Sequence, residues 1–462
     1  MTSAIRLLTL EPFERNPGRV IAAIGGIFAV MYVTALTLFP RSHGRIVDGD
    51  AIQYYAYLRS LVLDGDLDFA NDYRMLYRPT DEDADEYAWL REVTPTGRAQ
   101  NMMSIGPALL WAPAFLVIYA GLSVLRALGL SIPLDGVAAP FQLSVGVAGI
   151  VYATLGSFLC YRVCRVLYSQ APAFWGALAA WLATPAVYYS LVSPAYSHAV
   201  SLFAAALFCY VWLTTRGDRR IWRHLLLGAL AGLTALVRWQ EVIVLALPMG
   251  ELVAAVAKRR QSSGSAVLRL GLMAGSFTVI FAPQLIAWRH IYGDFLVMPQ
   301  GGEFMRWTDP ALGSVLFSLR HGLFTWTPVL LLSVCGLLWL IRRDPLLGWS
   351  ALVVILLAVY INASVSDWWA GEAFGARRFV GYTVFFALGL TALFARNLWV
   401  DRLILRRWTA TGLIVYNLLF LVQYQLFMRG FRDLVPYPTT ARQVFLDRLS
   451  VPWTLLRAWL NL

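Results

Sequence analysis

The stretch RIVDGDAIQYYAYLRS, from Arg45 to Ser60, decides how this chain folds. It follows the first long apolar run, Val20–Phe39, and places Asp48 and Asp50 directly before a tyrosine-rich segment. Charged residues are costly inside a lipid bilayer, so the stretch predicts a polar loop at the end of a first membrane helix. The side of the membrane on which this loop lies then determines what its carboxylates can contact.

The composition predicts a helical protein that crosses the membrane many times. The chain has 462 residues, of which 59% are hydrophobic and 14% charged, and its mean hydropathy is +0.61. Its long apolar runs have the length of a helix that spans a bilayer. The net charge of +11 comes from arginine, since Lys258 is the only lysine. Arginines at cytoplasmic helix ends explain this charge better than nucleic-acid binding does.

Arginine clusters predict the topology, because cytoplasmic loops of membrane proteins carry an excess of basic residues. With a cytoplasmic N-terminus, the clusters fall inside if eleven crossings are counted. The predicted crossings are Val20–Phe39, Gln142–Tyr161, Ala173–Ser190, Ala199–Thr215, two short helices within Leu225–Ala257, Leu270–Trp288, Pro328–Ile341, Leu346–Ala363, Val380–Ala395 and Ala410–Met428. Residues 1–462 then form a single all-α integral membrane domain, with an outer C-terminal tail at 429–462.

Residues 40–141 are predicted to form one large outer loop with surface helices. Its first part, residues 40–104, holds twelve acidic and seven basic residues, although the chain as a whole is basic. The apolar segment Ile105–Leu125 would invert every later arginine cluster if it crossed the membrane. It also contains Pro107 and Pro113, which are unfavourable inside an isolated helix. We therefore expect this segment to lie on, or dip into, the outer membrane surface.

The two aspartates of the opening stretch allow two interpretations. Apolar and aromatic residues recur at helical spacing over Ala51–Leu63, which predicts an amphipathic surface helix that begins near Asp50. A purely structural role would make Asp50 the cap of this helix, with Asp48 favouring the helix dipole. A functional role would make them reactive carboxylates. The spacing of these residues alone does not distinguish the structural role from the functional one.

A second polar cluster, SDWWAGEAFGARRFV from Ser366 to Val380, lies at the outer end of a predicted crossing. The positive-inside rule does not account for Arg377 and Arg378 on this side. Paired guanidinium groups bind phosphate well, so they indicate an anionic ligand. Trp368 and Trp369 could stack on a sugar or belong to the aromatic belt at the membrane interface.

A third cluster, RWQE from Arg238 to Glu241, interrupts the apolar segment Leu225–Ala257. Ionisable residues between apolar helices are usually functional, or they pair with one another. An Arg238–Glu241 pair with only a structural role is the alternative. His198 also lies on the outer side, without the spacing of a metal site. All three clusters and His198 could therefore line one outward cavity.

In this order the clusters resemble a known family. DGDAIQYYAYLRSLVLDGDLDF (48–69) and PTGRAQNMMSIGPALLWAP (95–113) are similar to the first-loop helices of the GT-C superfamily. These are polyprenyl-phosphate-sugar-dependent glycosyltransferases, and the closest likeness is to the branch of protein mannosyltransferases and aminoarabinose transferases. The usual Asp-Glu doublet is replaced by Asp48-Gly49-Asp50. Arg238 stands where the branch often has lysine.

The resemblance implies an inverting hexosyl- or pentosyltransferase in the inner (plasma) membrane, with its active site facing outside. It would move a sugar from a polyprenyl-phosphate donor to a cell-envelope lipid, glycan or protein. Asp50, or alternatively Asp48, would be the catalytic base, and Arg238, Arg378 and Arg377 would bind the donor phosphate. A divalent cation, Mg or Mn, is used by some family members. The further side chains expected to bind substrate are Tyr54, Tyr55, Arg59, His198, Gln240, Glu241, Trp368, Trp369 and Glu372.

A transporter or flippase of lipid-linked sugars is the main alternative, because it would also have many helices and a basic outward cavity. Such a protein should show polar residues deep in several helices and some repeat symmetry, and neither is evident in the sequence. A non-catalytic scaffold would leave the acids and arginines on one face unexplained.

Overall fold

The computed structural model describes residues 10–39, 41, 45–77, 92–396 and 403–460, and within these ranges the protein is built from helices. Two isolated bridges, Val93–Ala99 and Met305–Val365, are the only β-type pairings there. Besides the short helix Glu11–Arg15, the helices in the first half of the chain are α1 (Pro17–Leu38), α2 (Asp50–Arg59), α3 (Ala70–Tyr77), α4 (Gly106–Ala127), α5 (Ala139–Leu167), α6 (Gln170–Leu182), α7 (Ala186–Leu191), α8 (Ser197–Thr214), α9 (Ile221–Val237) and α10 (Ala246–Ala257).

The second half continues in the same way, with short connections between long helices. Its helices are α11 (Ser263–Tyr292), α12 (Leu312–Phe317), α13 (Leu323–Trp326), α14 (Val329–Arg343), α15 (Pro345–Ala363), α16 (Thr383–Phe394), α17 (Leu403–Met428), α18 (Ala441–Phe445) and α19 (Asp447–Leu460). Two 3-10 segments, Trp239–Leu245 and Arg377–Tyr382, lead directly into α10 and α16.

The predicted polytopic helical fold is confirmed, and all eleven predicted crossings fall on helices. The predicted interruption at Arg238 is present, because α9 ends at Val237 and Arg238 has an extended backbone. One predicted crossing, Ala173–Ser190, is divided into α6 and α7. Pro185 lies at the division, where its ring and missing N–H are incompatible with a continuous helix.

Nine helical segments of the described ranges are long and apolar enough to cross a membrane. This set differs from the eleven predicted crossings in two respects. It leaves out α6, α9 and α14, which have 13, 17 and 15 residues. It includes α4, whose sequence predicts a surface helix and whose 22 residues run through Pro113 without a break.

Helix α4 lies beside only the first half of α5. The Tyr152 hydroxyl donates to the Leu110 carbonyl at 2.9 Å, and the rings of Phe115 and Phe141 are 5.0 Å apart. The two helices are therefore antiparallel over this stretch. Because α5 has 29 residues, it is about 44 Å long and exceeds the ~30 Å hydrocarbon layer.

Helix α2 differs from the amphipathic surface helix that the sequence predicts. It begins at Asp50 as expected, but every residue from Ala51 to Arg59 is buried. Edge-to-face ring contacts join Tyr54 to Trp111 and Tyr55 to Phe115, so α4 covers the face that was expected to meet lipid. The opening stretch is therefore held rigidly inside the protein, with Asp50 at its first helical position.

Candidate active site

A cavity of about 480 Å³ lies where the three polar clusters meet. Asp50 enters it from the start of α2, and Arg238 from the end of α9. Arg377 and Arg378 enter it from the 3-10 segment before α16. The structure thus brings together residues that are up to 328 positions apart in the chain, and it joins the clusters as the sequence predicts.

Asp50 forms an ion pair with Arg377, and its Oδ2 lies 2.8 Å from Nη1 of the arginine. Its side chain makes no capping hydrogen bond to the helix that it begins. The carboxylate remains 36% exposed within the cavity, so one oxygen is available to a ligand. Helix capping, the structural alternative for Asp50, is therefore absent.

Arg238 is held from three sides. Its guanidinium donates to the Ser197 hydroxyl at 3.0 Å and to the amide oxygen of Gln240 at 2.6 Å. Its Nε lies 3.5 Å from Oε1 of Glu241, a carboxylate that is 0% exposed. The Arg238–Glu241 pair expected as a structural alternative thus exists, and the guanidinium still lines the cavity.

Three neighbouring residues complete this side of the cavity. The Tyr54 hydroxyl lies 2.9 Å from the Ser197 hydroxyl, and burial raises the pKa of Tyr54, which keeps it protonated. His198 is buried between the rings of Tyr189 and Tyr196, at 4.5 and 6.2 Å. Within the described residues its Nδ1 has no hydrogen-bond partner. A polar ligand in the cavity could provide one.

Arg378 is paired with a residue that the sequence analysis did not select. Its guanidinium donates to Oδ1 of Asp367 at 2.7 Å and to the Asp367 carbonyl at 3.0 Å. Each of the three cavity arginines therefore faces a carboxylate: Arg377 faces Asp50, Arg238 faces Glu241, and Arg378 faces Asp367. Asp367 lies inside the quoted Ser366–Val380 stretch, so its position before two tryptophans was a usable signal.

Part of the cavity lining is apolar. Four methionines and two aromatic side chains line it: Met102, Met103, Met298, Met305, Phe304 and Trp307. The segment that carries the last three is fixed to the end of α15, because Arg306 N–H donates to the Ser364 carbonyl at 2.6 Å and Ser366 N–H to the Phe304 carbonyl at 2.8 Å. Methionine side chains adapt well to irregular apolar ligands. No pattern in the sequence indicated this apolar lining.

Seven predicted site residues do not line the cavity. Asp48 lies 3.8 Å from Arg45, outside the cavity. Tyr55 donates to the Gly136 carbonyl, and Arg59 forms ion pairs with Asp64 and Asp72 at 2.7 and 2.8 Å. Glu241 is fully buried and reaches the cavity only through its pair with Arg238. Trp368 and Trp369 line a neighbouring small pocket together with Arg377 and Arg378, and Glu372 is exposed at the surface.

The position of Trp369 suits packing rather than sugar stacking. Arg320 lies over its ring at 4.6 Å, and its carbonyl accepts a hydrogen bond from His321 at 2.7 Å. Burial lowers the pKa of His321 to about 4, so this imidazole is neutral at physiological pH. Trp368 meets Trp369 edge-to-face at 5.7 Å.

The possible metal ligands among the described residues are dispersed. In the part of the chain that the structure describes, no three His, Cys, Asp or Glu side chains are grouped as metal ligands. Asp48 and Asp50 pair with different arginines.

Gly49 fixes the position of Asp50. Its φ of +56° is strained for other residues, and an added Cβ would lie 2.3 Å from the Tyr196 hydroxyl. We expect Gly49→Ala to lower the free energy of unfolding by about 1–3 kcal/mol and to displace Asp50. Thermal unfolding of the purified variant would measure the first effect. Gly65→Ala is the matched control, because Gly65 has φ +74° and open space around it. Equal melting temperatures of the two variants would contradict the clash.

Comparisons with known proteins identify the fold. No protein-family model and no curated protein matches the chain. Among solved structures, ArnT from Cupriavidus metallidurans in the apo state is similar with a TM-score of 0.51 and 14% identity, over 95% of this chain and 76% of that chain. Archaeal oligosaccharyltransferase AglB from Archaeoglobus fulgidus, in complex with an inhibitory peptide and a dolichol-phosphate, has a TM-score of 0.47 and 12% identity, over 96% of this chain and 54% of that one.

The likeness to ArnT shows that this chain has the same fold as that protein. The protein is a multi-pass membrane protein of that fold. The correspondence extends over nearly the whole chain rather than over the first loop alone.

Proposed function

We propose that this protein is an inverting membrane glycosyltransferase that moves a sugar from a polyprenyl-phosphate donor to a hydroxyl of a cell-envelope acceptor. The observation that carries the proposal is the mixed lining of the cavity. A partly exposed carboxylate and three arginines line it together with methionines and aromatic rings. A lipid-linked sugar phosphate needs both kinds of lining, whereas a soluble sugar phosphate needs only the charged one.

The geometry supports a direct displacement. The acceptor oxygen would form the new bond to the anomeric carbon while Asp50 accepts its proton. The bond from that carbon to the phosphate oxygen breaks, and the lipid phosphate leaves with the electron pair. Arg238 and Arg378 would stabilise the charge that grows on the phosphate. Arg377 would orient Asp50, since the two are joined at 2.8 Å. Positioning of donor and acceptor supplies most of the remaining acceleration.

The direct test uses the purified full-length protein in nanodiscs with a panel of synthetic polyprenyl-phosphate sugars. We expect release of polyprenyl phosphate together with glycosylation of an acceptor from an envelope lipid extract, and inverted anomeric configuration in the product. Lipid and glycan analysis of a deletion strain would identify the acceptor independently. Movement of the donor between leaflets without any bond cleavage would instead support the flippase alternative.

The proposed topology makes a separate prediction. In a Cys335→Ser background, which removes the one exposed cysteine among the described residues, membrane-impermeant maleimide should label Asp68→Cys, Glu303→Cys and the tail variant Arg442→Cys from outside. Arg219→Cys and Arg259→Cys should be labelled only after permeabilisation, because basic clusters remain cytoplasmic.

Labelling of the Arg442→Cys variant tests whether α4 crosses the membrane. If α4 spans the membrane, the number of crossings becomes even and Arg442→Cys would be protected from the outside reagent. The outward position of the cavity would then no longer follow from the arginine pattern.

A further inference from the structure

A second basic pocket lies at the outer end of α11, apart from the cavity. It has a volume of about 400 Å³ and is open to the surface. Its main lining residues are Thr96, Arg98, Ile286, Arg289, His290 and Phe295. It shares no lining residue with the cavity that contains Asp50. The mechanism proposed above makes no use of it.

The position of this pocket along α11 corresponds to the outer lipid headgroups. Arg269 and Arg289 are 20 residues apart on one helix, which is about 30 Å, the thickness of the hydrocarbon layer. Between them the helix exposes apolar side chains, including Val279 and Ile286, that are 71% and 61% exposed. Arg289 and His290 follow Ile286 by three and four positions, so they lie on the same helix face. The pocket therefore begins where the lipid-facing surface ends.

The arginines of this pocket have no acidic partner in the described part of the chain. Arg98 and Arg289 form no ion pair there, and neither does the neighbouring Asp294. Arg98 is positioned by a 2.9 Å hydrogen bond to the His290 carbonyl, and Arg289 lies 5.7 Å above the Phe295 ring. Two guanidinium groups thus line one pocket without an ion-pair partner among the described residues.

Ordinary structural roles explain only part of this arrangement. A basic residue in the last turn of a helix interacts favourably with the helix dipole, which accounts for Arg289 and His290. It does not account for Arg98, which comes from the first outer loop and approaches the same pocket. The positive-inside rule disfavours Arg98 and Arg289 on the outer side.

We propose that this pocket binds the phosphate headgroup of an anionic lipid in the outer leaflet. The two guanidinium groups would hold the phosphate oxygens, for which their planar geometry is well suited. Ile286, Phe295 and the 80% exposed Leu296 would contact the upper part of the acyl chains. The proposal does not depend on the glycosyltransferase activity, because it concerns a different pocket.

The test is lipid selection by the full-length protein. Wild-type protein is incubated in mixed micelles with equimolar phosphatidylglycerol and phosphatidylcholine, and the retained lipids are counted by native mass spectrometry. We expect retention of phosphatidylglycerol over phosphatidylcholine. In the Arg98→Gln/Arg289→Gln variant, the ratio of retained phosphatidylglycerol to phosphatidylcholine should fall at least about tenfold, since each basic residue near a membrane surface contributes about 1 kcal/mol.

Two controls keep the result specific. Arg126→Gln/Arg432→Gln removes the same charge from exposed arginines outside the pocket and should keep the wild-type preference. An equal loss of the phosphatidylglycerol preference in both double variants would show that general surface charge causes it, and would contradict a specific lipid site. An unchanged preference in the pocket variant would overturn it as well. Displacement of the lipid by an excess of inorganic phosphate alone would show a soluble-anion site and contradict the lipid assignment.

Discussion

Replacing Asp50 with asparagine is expected to lower the rate of sugar transfer by about 10²–10⁴-fold, the range for loss of a general base. The substitution conserves size, and the amide can still accept a hydrogen bond from Arg377. The fold should survive, because the Asp50 side chain does not cap α2. Steady-state kinetics of purified protein with a polyprenyl-phosphate sugar would measure the loss, and circular dichroism would check the fold.

The ion pair with Arg377 offers a different role for Asp50, as a residue that only positions the arginine. In that case Asp50→Asn should raise KM for the donor and leave kcat nearly unchanged, because the chemical step would not need the carboxylate. Loss of the base should instead lower kcat. Asp48→Asn is the matched control: Asp48 lies outside the cavity, so full activity is expected. A larger loss in Asp48→Asn than in Asp50→Asn would reverse the assignment.

The second large effect is expected at Arg238. Arg238→Gln should weaken donor binding about 10–100-fold, which corresponds to about 1.5–3 kcal/mol for a hydrogen bond to a charged group. It should also lower the free energy of unfolding by about 3 kcal/mol, the low end of the range for breaking a buried ion pair. The cause is Glu241, which is fully buried and would retain only the Ser201 hydroxyl as a partner. Donor titration and thermal unfolding measure the two effects separately.

Two further variants separate these effects. Glu241→Gln in the Arg238→Gln background removes the unpaired carboxylate, so it should restore stability without restoring donor affinity. Arg378→Gln should reduce donor affinity with little loss of stability, because Asp367 is 41% exposed and can be hydrated. Wild-type donor affinity in both arginine variants would leave the two arginines with structural roles only.

Much of the fold could be predicted from the sequence because its signals are local. The apolar runs have the right length, and the break before Trp239 follows from the polar residues Arg238, Gln240 and Glu241 between apolar segments. The burial of α2 could not be predicted in this way. The second face of α2 is apolar and aromatic because it packs against α4. A helix face that packs against another helix and one that contacts lipid have the same apolar sequence pattern. Single-residue patterns do not distinguish the two environments.

For the candidate site too, local sequence signals were predictable and contacts between distant segments were not. Arg377 and Arg378 were identifiable because arginine pairs on the predicted outer side are unusual, and Asp50 because it precedes the tyrosine-rich helix that resembles the family's first-loop motif. Asp367 was missed because a lone aspartate near a helix end is common. Tyr55 and Arg59 share the helix of Asp50 but point away from the cavity, which their spacing from Asp50 alone did not reveal. Whether these side chains reach the cavity depends on contacts between segments that are distant in the sequence.

The pairing of every cavity arginine with a carboxylate has a consequence for how a ligand arrives and leaves. The three acids balance the three guanidinium charges, so the resting cavity carries little net field to attract an anion from a distance. On the proposed function, the donor phosphate binds to guanidinium groups that keep their internal acid partners, so binding does not unpair the buried Glu241. When the lipid phosphate departs, the same ion pairs remain in place. We therefore expect turnover to depend weakly on ionic strength.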